Sequence, residues 1–209
     1  MKKLVILLIF CSAFGFGCRK TPDTDKLSAE FVVQTSRDPD ADFDSYQTYY
    51  ISDTVGLQNS NPNDSIWFEA SSKQLVDAVK ANMTAMGYTF VSKGSQPDLG
   101  LTLGAIKDLN LGVVYPGWWY GYWGYWGGCY WGYCGYPPYY PWSGMIYSIP
   151  TGTLILDMTD LKNAAANGKL SVSWGAVMSG GLGTTGNDLA LGVSSIDQAF
   201  AQSGYLKTN

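Results

Sequence analysis

A long uncharged stretch rich in glycine, tyrosine and tryptophan constrains the fold of this chain more than any other feature. No charged residue occurs between Asp108 and Asp157, and residues 115–142 hold six of the eight tryptophans and nine of the fifteen tyrosines. Glycine is too frequent there for a helix that crosses a membrane, where every peptide group needs an internal hydrogen bond. We therefore expect residues 115–148 to form a long irregular insertion between two strands.

The sequence on either side of this insertion predicts one α+β domain over residues 28–206. Two amphipathic helices are predicted, one from Asp64 or Ser65 to Met86 and one that Asp188 caps. Short apolar, aromatic or alternating runs predict strands at 28–36, 45–51, 88–91, 97–105, 150–159 and 170–176. This order favours a two-layer sandwich, in which a mixed, mostly antiparallel sheet carries both helices on one face.

Residue spacing also predicts which side chains enter the core. The first helix has an apolar stripe of Phe68, Leu75, Val79, Met83 and Met86. Small residues at Gly100, Thr102 and Gly104 alternate with leucines, so we expect something to pack closely on their face. The alternation of Leu170, Val172, Trp174 and Ala176 places these four on one face, and residues 180–186 are expected to form a flexible loop.

The N-terminus predicts export and lipidation. Lys2 and Lys3 precede an apolar run over residues 4–16, which is too short to span a bilayer but fits a secretory signal. The small Gly17 directly before Cys18 fits the cleavage pocket of a lipoprotein signal peptidase. We expect residues 1–17 to be a signal peptide.

After cleavage, Cys18 is expected to carry the acyl chains, palmitate among them, that anchor the protein. Residues 18–27 are polar and predict a tether. Arg19 follows the cysteine in place of an acidic retention signal, which favours an outer-membrane lipoprotein, on the periplasmic or the surface side.

Composition excludes several classes of function. The chain has 17 Asp and Glu against 13 Lys and Arg, and an acidic surface argues against binding of nucleic acid. It has no histidine, and therefore lacks the commonest general base and metal ligand. Cys129 and Cys134 predict a disulfide in an oxidising compartment rather than a metal site, and no cofactor is predicted.

Three motifs together resemble a known family. The segment from Asp42 to Tyr50 resembles the acidic-Phe-x-x-Tyr-x-Thr-aromatic opening of the envelope lipoproteins grouped as domain-of-unknown-function family 4136. Gly87-Tyr88 after a helix, followed by Pro97-Asp98-Leu99, is similar to the middle motif of that family. Residues 152–160 with Val172-Ser173-Trp174-Gly175-Ala176 are similar to its closing hairpin. The resemblance covers residues 28–204 and implies an envelope-lipoprotein domain with no assigned chemistry and no catalytic residues to transfer.

Four interpretations of the insertion stay open. It packs on its own domain as an aromatic lid, lies at the membrane interface, binds an envelope protein, or stacks on the sugar rings of a glycan. The candidate binding surface consists of Trp118, Trp119, Tyr122, Trp123, Trp126 and Trp131.

The leading hypothesis is a membrane-anchored, non-catalytic domain for binding or structural assembly. The alternatives are a glycan-binding module that uses the insertion, and a metal-dependent or carboxylate-based hydrolase that uses Asp98, Asp157 or Asp160. We expect Asp157 to face solvent or cap a turn, and Asp98 to bond local backbone. The G-x-G-x-x-G pattern over residues 181–186 lacks the strand and acidic residue of a dinucleotide site, so a loop is predicted there.

Overall fold

The computed structural model describes residues 31–61, 65–67, 69–114, 117, 129–130, 132–142 and 147–208. The predicted signal peptide, the tether and Cys18 lie outside these residues, as do the candidate binding residues Trp118, Trp119, Tyr122, Trp123, Trp126 and Trp131.

A nine-stranded mixed sheet forms the centre of the described domain. Its strands are β1 (Val32–Arg37), β2 (Thr48–Ile51), β3 (Val55–Gln58), β4 (Ile66–Trp67), β5 (Thr89–Phe90), β6 (Leu99–Ile106), β10 (Pro138–Tyr139), β12 (Thr153–Asp160) and β13 (Leu170–Ser179). The main order is β1-β13-β12-β6-β2-β5, antiparallel from β1 to β6 and parallel beyond it. Two small antiparallel pairs are separate: β7 (Leu111–Val114) with β11 (Tyr147–Ile149), and β8 (Cys129–Tyr130) with β9 (Tyr133–Cys134).

Three helices are described: α1 (Ala70–Ala85), the single turn α2 (Ala164–Asn167), and α3 (Leu189–Ala201). The predicted start of α1 is wrong, because Ile66 pairs with β3, and Glu69 forms a capping box with Ser72. The cap of α3 is confirmed, since the Asp188 carboxylate accepts a hydrogen bond from the Leu191 N–H. Within the described residues, no helix has the length and apolar character needed to cross a membrane.

The main core lies between the sheet and the two long helices. The predicted stripe of α1 is buried at Leu75, Val79 and Met83, while Phe68 lies outside the described residues. These side chains meet Ile196 and Phe200 of α3 and the alternating apolar residues of β6, β12 and β13. The predicted α+β sandwich with its helices on one face is confirmed.

A β-bulge in β13 changes which of its side chains share a face of the sheet. Met158 pairs with Trp174 but the next residue, Thr159, pairs with Val172, so Ser173 is an extra residue in its strand. The bulge reverses the alternation. Trp174 therefore lies in the helix-side core, whereas Val172 packs on the opposite face, and the prediction of one shared face for Leu170 to Ala176 is wrong.

The second face of the sheet is covered by the C-terminal part of the insertion and by residues that flank the insertion in the chain. Ile155, Val172 and Val177 pack there against Tyr140 and Ile149, with Leu109, Leu111 and Trp142 partly buried beside them. Gly100 and Gly104 are buried as well, as expected for small residues beneath a close neighbour.

The loop over residues 180–186 is tightly packed, contrary to the expected flexible loop. Leu182 is fully buried, and its N–H donates to the Gly152 carbonyl at 2.7 Å. Gly186 has a positive φ of 70° and lies against the Lys107 backbone, where a Cβ atom would collide. The glycines of this pattern therefore allow close backbone packing.

Candidate functional site at the docked segment

Residues 132–142, which we call the docked segment, attach the insertion to the domain. β10 of this segment pairs in parallel with Leu170 and Ser171, beside β1 on the same edge of β13. The Leu170 N–H also donates to the Pro137 carbonyl at 3.0 Å. The docked segment is thus part of the sheet.

Tyr133 fixes the first part of the docked segment. Its hydroxyl donates to the Leu161 carbonyl at 3.0 Å, and its ring stacks on Tyr136 with centroids 5.4 Å apart. Both rings pack on a small cluster of Leu161, Ala164 and Leu170. This cluster explains why the single turn α2 forms, since Ala164 is buried beneath the rings.

Tyr140 fixes the last part of the docked segment through Asp157 of β12. The Tyr140 hydroxyl donates to Asp157 Oδ2 at 2.7 Å, and the two residues are 7% and 5% exposed. Asp157 does lie on the face opposite Leu156, as expected. The expectation that it faces solvent is wrong, because the insertion covers this face.

Glycines allow the aromatic rings to approach the sheet. Gly175 lies opposite Asp157, and a Cβ atom on it would be 2.9 Å from Asp157 Oδ1 and 3.1 Å from Trp142 Cζ2. Trp142 in turn meets Tyr140 edge to face, with centroids 5.8 Å apart. Gly117, at the start of the insertion, lies against the Tyr140 ring.

Tyr139 is the exposed aromatic residue of the docked segment. It is 44% exposed, and Lys169 Nζ lies 3.6 Å from its ring centroid. Together with Pro141 it forms one wall of a cleft of about 430 Å³, whose other walls include Asp38, Asp40, Asp42, Asn163 and Ser171.

The two cysteines of the insertion lie directly opposite each other. Cys129 pairs with Cys134 across the β8–β9 hairpin, whose turn includes Gly132 at a φ of 88°. Opposite residues in an antiparallel pair have Cα atoms about 4.5–5.5 Å apart, which is within the range of a disulfide. The register therefore fits the predicted disulfide, which stays a prediction.

The other two candidate aspartates hold local structure together. Asp98 accepts hydrogen bonds from the N–H groups of Gln47 and Thr48, at 2.8 and 3.0 Å. These belong to a segment about 50 residues away, so the expected bond to local backbone is wrong. Burial alone would raise the pKa of Asp98, but these two bonds, with Thr48 and Lys162, lower it below its usual value.

Asp160 is bound by Asn163, whose N–H and side-chain amide donate to it at 2.9 and 2.8 Å. The pKa of the neighbouring Tyr46 is raised by burial and by the charge of Asp160. Asp157 and Asp160 do not share a site, since Asp157 lies beneath Tyr140. In the described part of the chain, no three Asp, Glu or Cys residues are placed to hold a metal ion together.

The comparison with known proteins identifies the family. The sequence profile of the family described as "Domain of unknown function (DUF4136)" matches residues 33–204. The chain belongs to the DUF4136 family. This confirms the resemblance of its three motifs.

A crystal structure of a DUF4136 family protein from Bacteroides thetaiotaomicron is similar to this chain, with a TM-score of 0.69 and 28% identity over 86% of this chain and 99% of that one. Two structures of a PelC dodecamer from Paraburkholderia phytofirmans match at TM-scores of 0.40 and 0.37 and 10% identity, also over 86% of this chain. They cover 99% and 98% of those chains, and at this similarity they support no inference. No curated protein sequence matches significantly.

The structure gives the DUF4136 motifs structural roles. Thr48 of the opening motif accepts the Asp98 N–H through its hydroxyl, which joins this motif to the middle one. Gly175 of the closing motif leaves room for Trp142. Sequence reasoning did not select Tyr140 or Trp142. A glycine opposite an aspartate in adjacent predicted strands was the available signal that this face is covered.

Proposed function

We propose that this DUF4136 protein is a non-catalytic, lipid-anchored envelope protein whose domain holds an aromatic insertion in place for binding. One observation supports this above all others: the buried Tyr140–Asp157 hydrogen bond attaches the uncharged insertion to the centre of the sheet. A hydrogen bond to a charged group contributes roughly 1.5–3 kcal/mol. The domain therefore holds the docked segment in a fixed position.

The residues on both sides of the tryptophan-rich stretch contact the domain. Gly117 lies against Tyr140, and the β8–β9 hairpin is held through Tyr133 at the end of the sheet. Between these points the sequence has Trp118, Trp119, Trp123 and Trp126 and no charge. Tryptophan and tyrosine supply most of the binding energy in many interfaces. We therefore assign to this stretch the binding of a ligand in the envelope.

The position of the tether favours an envelope ligand over the anchoring membrane. β1 begins where β13 ends, with Val32 opposite Ser179, whereas the docked segment pairs with Leu170 and Ser171 at the other end. These ends are about 30 Å apart at roughly 3.3 Å per residue. The tether predicted over residues 18–27 precedes β1 in the chain, so the docked segment lies at the end of β13 that is farther from the start of β1.

The contacts of the aspartates support a non-catalytic role. The carboxylate of Asp157 is covered by Tyr140, that of Asp160 is bound by Asn163, and that of Asp98 by backbone N–H groups. A hydrolase needs a carboxylate that can reach a substrate or an activated water. A measurable turnover that Asp157→Asn or Asp160→Asn abolishes, in a protein that stays folded, would overturn this part of the proposal.

The anchor is tested by Cys18→Ser. The wild-type protein is expected to incorporate a palmitate probe and to fractionate with the outer membrane. The variant is expected to lose the label and to remain an uncleaved precursor. Labelling that survives the substitution would exclude Cys18 as the lipidated residue.

The binding role is tested by changing Trp118, Trp119, Trp123 and Trp126 to alanine in the full lipidated chain. We expect the variant to retain at least tenfold less envelope material in a pull-down, while its melting temperature stays close to that of the wild type. A matched control changes Phe90 and Tyr205 to alanine, which are exposed aromatic residues elsewhere on the domain. Equal retention by the tryptophan variant and the wild type would contradict a binding role.

A further inference from the structure

A second cleft lies between the docked segment and the core of the domain. It has a volume of about 480 Å³, within the range of clefts that bind small molecules. The core contributes two loops and the insertion contributes the turn of its hairpin, with the lining residues Lys93, Gln96, Asp98, Gly132, Tyr133 and Lys162. The cleft exists because the insertion is docked, so it combines residues from both parts of the chain.

The cleft contains an exposed lysine, Lys93, that has no partner among the residues that the structure describes. Apart from Lys207, every other basic side chain among the described residues makes a contact. Lys73 and Lys80 form ion pairs, and Lys162 donates to a carbonyl. The remaining three lie on aromatic rings: Arg37, Lys107 and Lys169. Lys93 has no such contact. An ammonium group has three donors, so Lys162, which donates to the Ser45 carbonyl, has donors left as well.

The carboxylate of the cleft, Asp98, cancels only part of the positive charge of the two lysines. Asp98 Oδ2 accepts two backbone N–H groups, those of Gln47 and Thr48. These bonds direct that oxygen at the backbone of the neighbouring strand. Two lysines against one carboxylate therefore leave this cleft with one net positive charge on a protein that is acidic as a whole.

Gln96 gives the cleft an amide in a strained position. It has a φ of 52° and is the one residue other than glycine with a positive φ in the described ranges. It precedes Pro97, which makes this conformation still less favourable. Backbone strain of this kind is often found at ligand sites.

Tyr133 supplies an aromatic wall. One face of its ring is stacked on Tyr136, and its hydroxyl is bonded to Leu161, so the ring is held in place. An electron-rich ring packs well against the C–H groups of a sugar, while an ammonium group pairs with a carboxylate. We propose that this cleft binds a carboxylate-bearing saccharide. This inference goes beyond the proposed function, because the described residues that line the cleft do not include the four tryptophans to which binding is assigned above.

The test is a calorimetric titration of the full lipidated protein in detergent micelles. Two acidic probes represent two sources of the ligand, N-acetylmuramic acid for peptidoglycan and digalacturonic acid for an acidic polysaccharide. Neutral counterparts are N-acetylglucosamine and the methyl ester of digalacturonic acid. We expect at least one acidic probe to bind, its neutral counterpart to bind about fivefold more weakly or not at all, and binding to weaken at high salt.

Lys93→Gln is expected to weaken binding of the acidic probe about fivefold, the effect of one lost charge pair. Lys207→Gln is the matched control, because the ammonium group of Lys207 also has no partner in the described ranges but does not line the cleft. It is expected to leave binding unchanged. Binding of one acidic probe alone identifies the source. Failure of both acidic probes, equal binding of the neutral counterpart, or no effect of Lys93→Gln would overturn the proposal. The tryptophan variant and its pull-down test the proposed function separately.

Discussion

The hydroxyl of Tyr140 lies 2.7 Å from Asp157 Oδ2, and both residues are buried at the centre of the sheet face opposite the helices. The bond joins an uncharged insertion to a charged residue of the core strand β12. It also accounts for an aspartate in the middle of a buried strand, where an unpaired carboxylate would be costly. The attachment of the insertion therefore depends on specific polar chemistry as well as on apolar packing.

Tyr140→Phe removes this hydrogen bond and keeps the ring. We expect the free energy of unfolding to fall by about 1–3 kcal/mol, because the buried Asp157 loses a donor. Chemical denaturation measures this loss. Tyr139→Phe is the control, since its ring is exposed, and it is expected to change the stability by less than about 0.5 kcal/mol. Equal effects of the two substitutions would contradict a structural role for the bond.

Gly175→Ala is expected to loosen the docked segment. The new methyl group would stand 2.9 Å from Asp157 Oδ1 and 3.1 Å from Trp142, so the ring has to move away. Overpacking of this kind costs about 1–3 kcal/mol and is expected to red-shift tryptophan fluorescence as Trp142 gains water contact. At Gly204 a Cβ atom would meet nothing within 4 Å, so Gly204→Ala is a neutral control. An unshifted spectrum for Gly175→Ala would argue against the contact.

The lowered pKa of Asp98 predicts a pH dependence of stability. A carboxyl group whose pKa is lower in the folded than in the unfolded chain stabilises the fold above its unfolded pKa of about 3.9, and this contribution is lost as the pH falls through the folded pKa. The stability difference between the wild type and Asp98→Asn is therefore expected to be constant from about pH 5 to 7 and to shrink below about pH 4. Asp40→Asn removes an exposed carboxylate and is the control. A difference that grows towards acid pH would have the wrong sign.

Gln96→Gly is expected to stabilise the protein by about 0.5–1 kcal/mol, because glycine adopts a φ of 52° without strain. The same substitution at the exposed Gln47, which does not have a positive φ, is expected to destabilise by a similar amount. Thermal unfolding of both variants measures these changes in stability. A loss of stability in Gln96→Gly would show that the side chain of Gln96 contributes more than its backbone costs.

Periodic patterns made much of the fold predictable from sequence. Leu75, Val79 and Met83 are spaced so that they lie on one side of a helix, and this side faces the core as predicted. Asp188 caps its helix, also as predicted. The short strands β3 and β4 were missed, because two to four residues are too few for an alternation to be recognised. The bulge at Ser173 was missed because one extra residue leaves the composition of the strand unchanged.

The candidate site was predictable only in outline. Composition identifies the insertion, whereas Cys129 and Cys134 predicted only a disulfide, and the β8–β9 hairpin on which they lie was not predicted. Glycine and aromatic residues mixed without a period do not indicate which rings are buried, so Tyr140 and Tyr133 could not be distinguished from their neighbours. Their roles depend on partners in β12 and beside α2, which the fold alone brings close.

Hydrogen–deuterium exchange of the wild-type lipidated protein, with and without envelope extract, tests the central claim most directly. If the insertion is the binding element, added protection is expected in peptides from residues 115–148 and in the loops at 93–98 and 161–162, while α1 and α3 keep their exchange rates. Protection confined to the helices, or no change anywhere in the chain, would contradict the account.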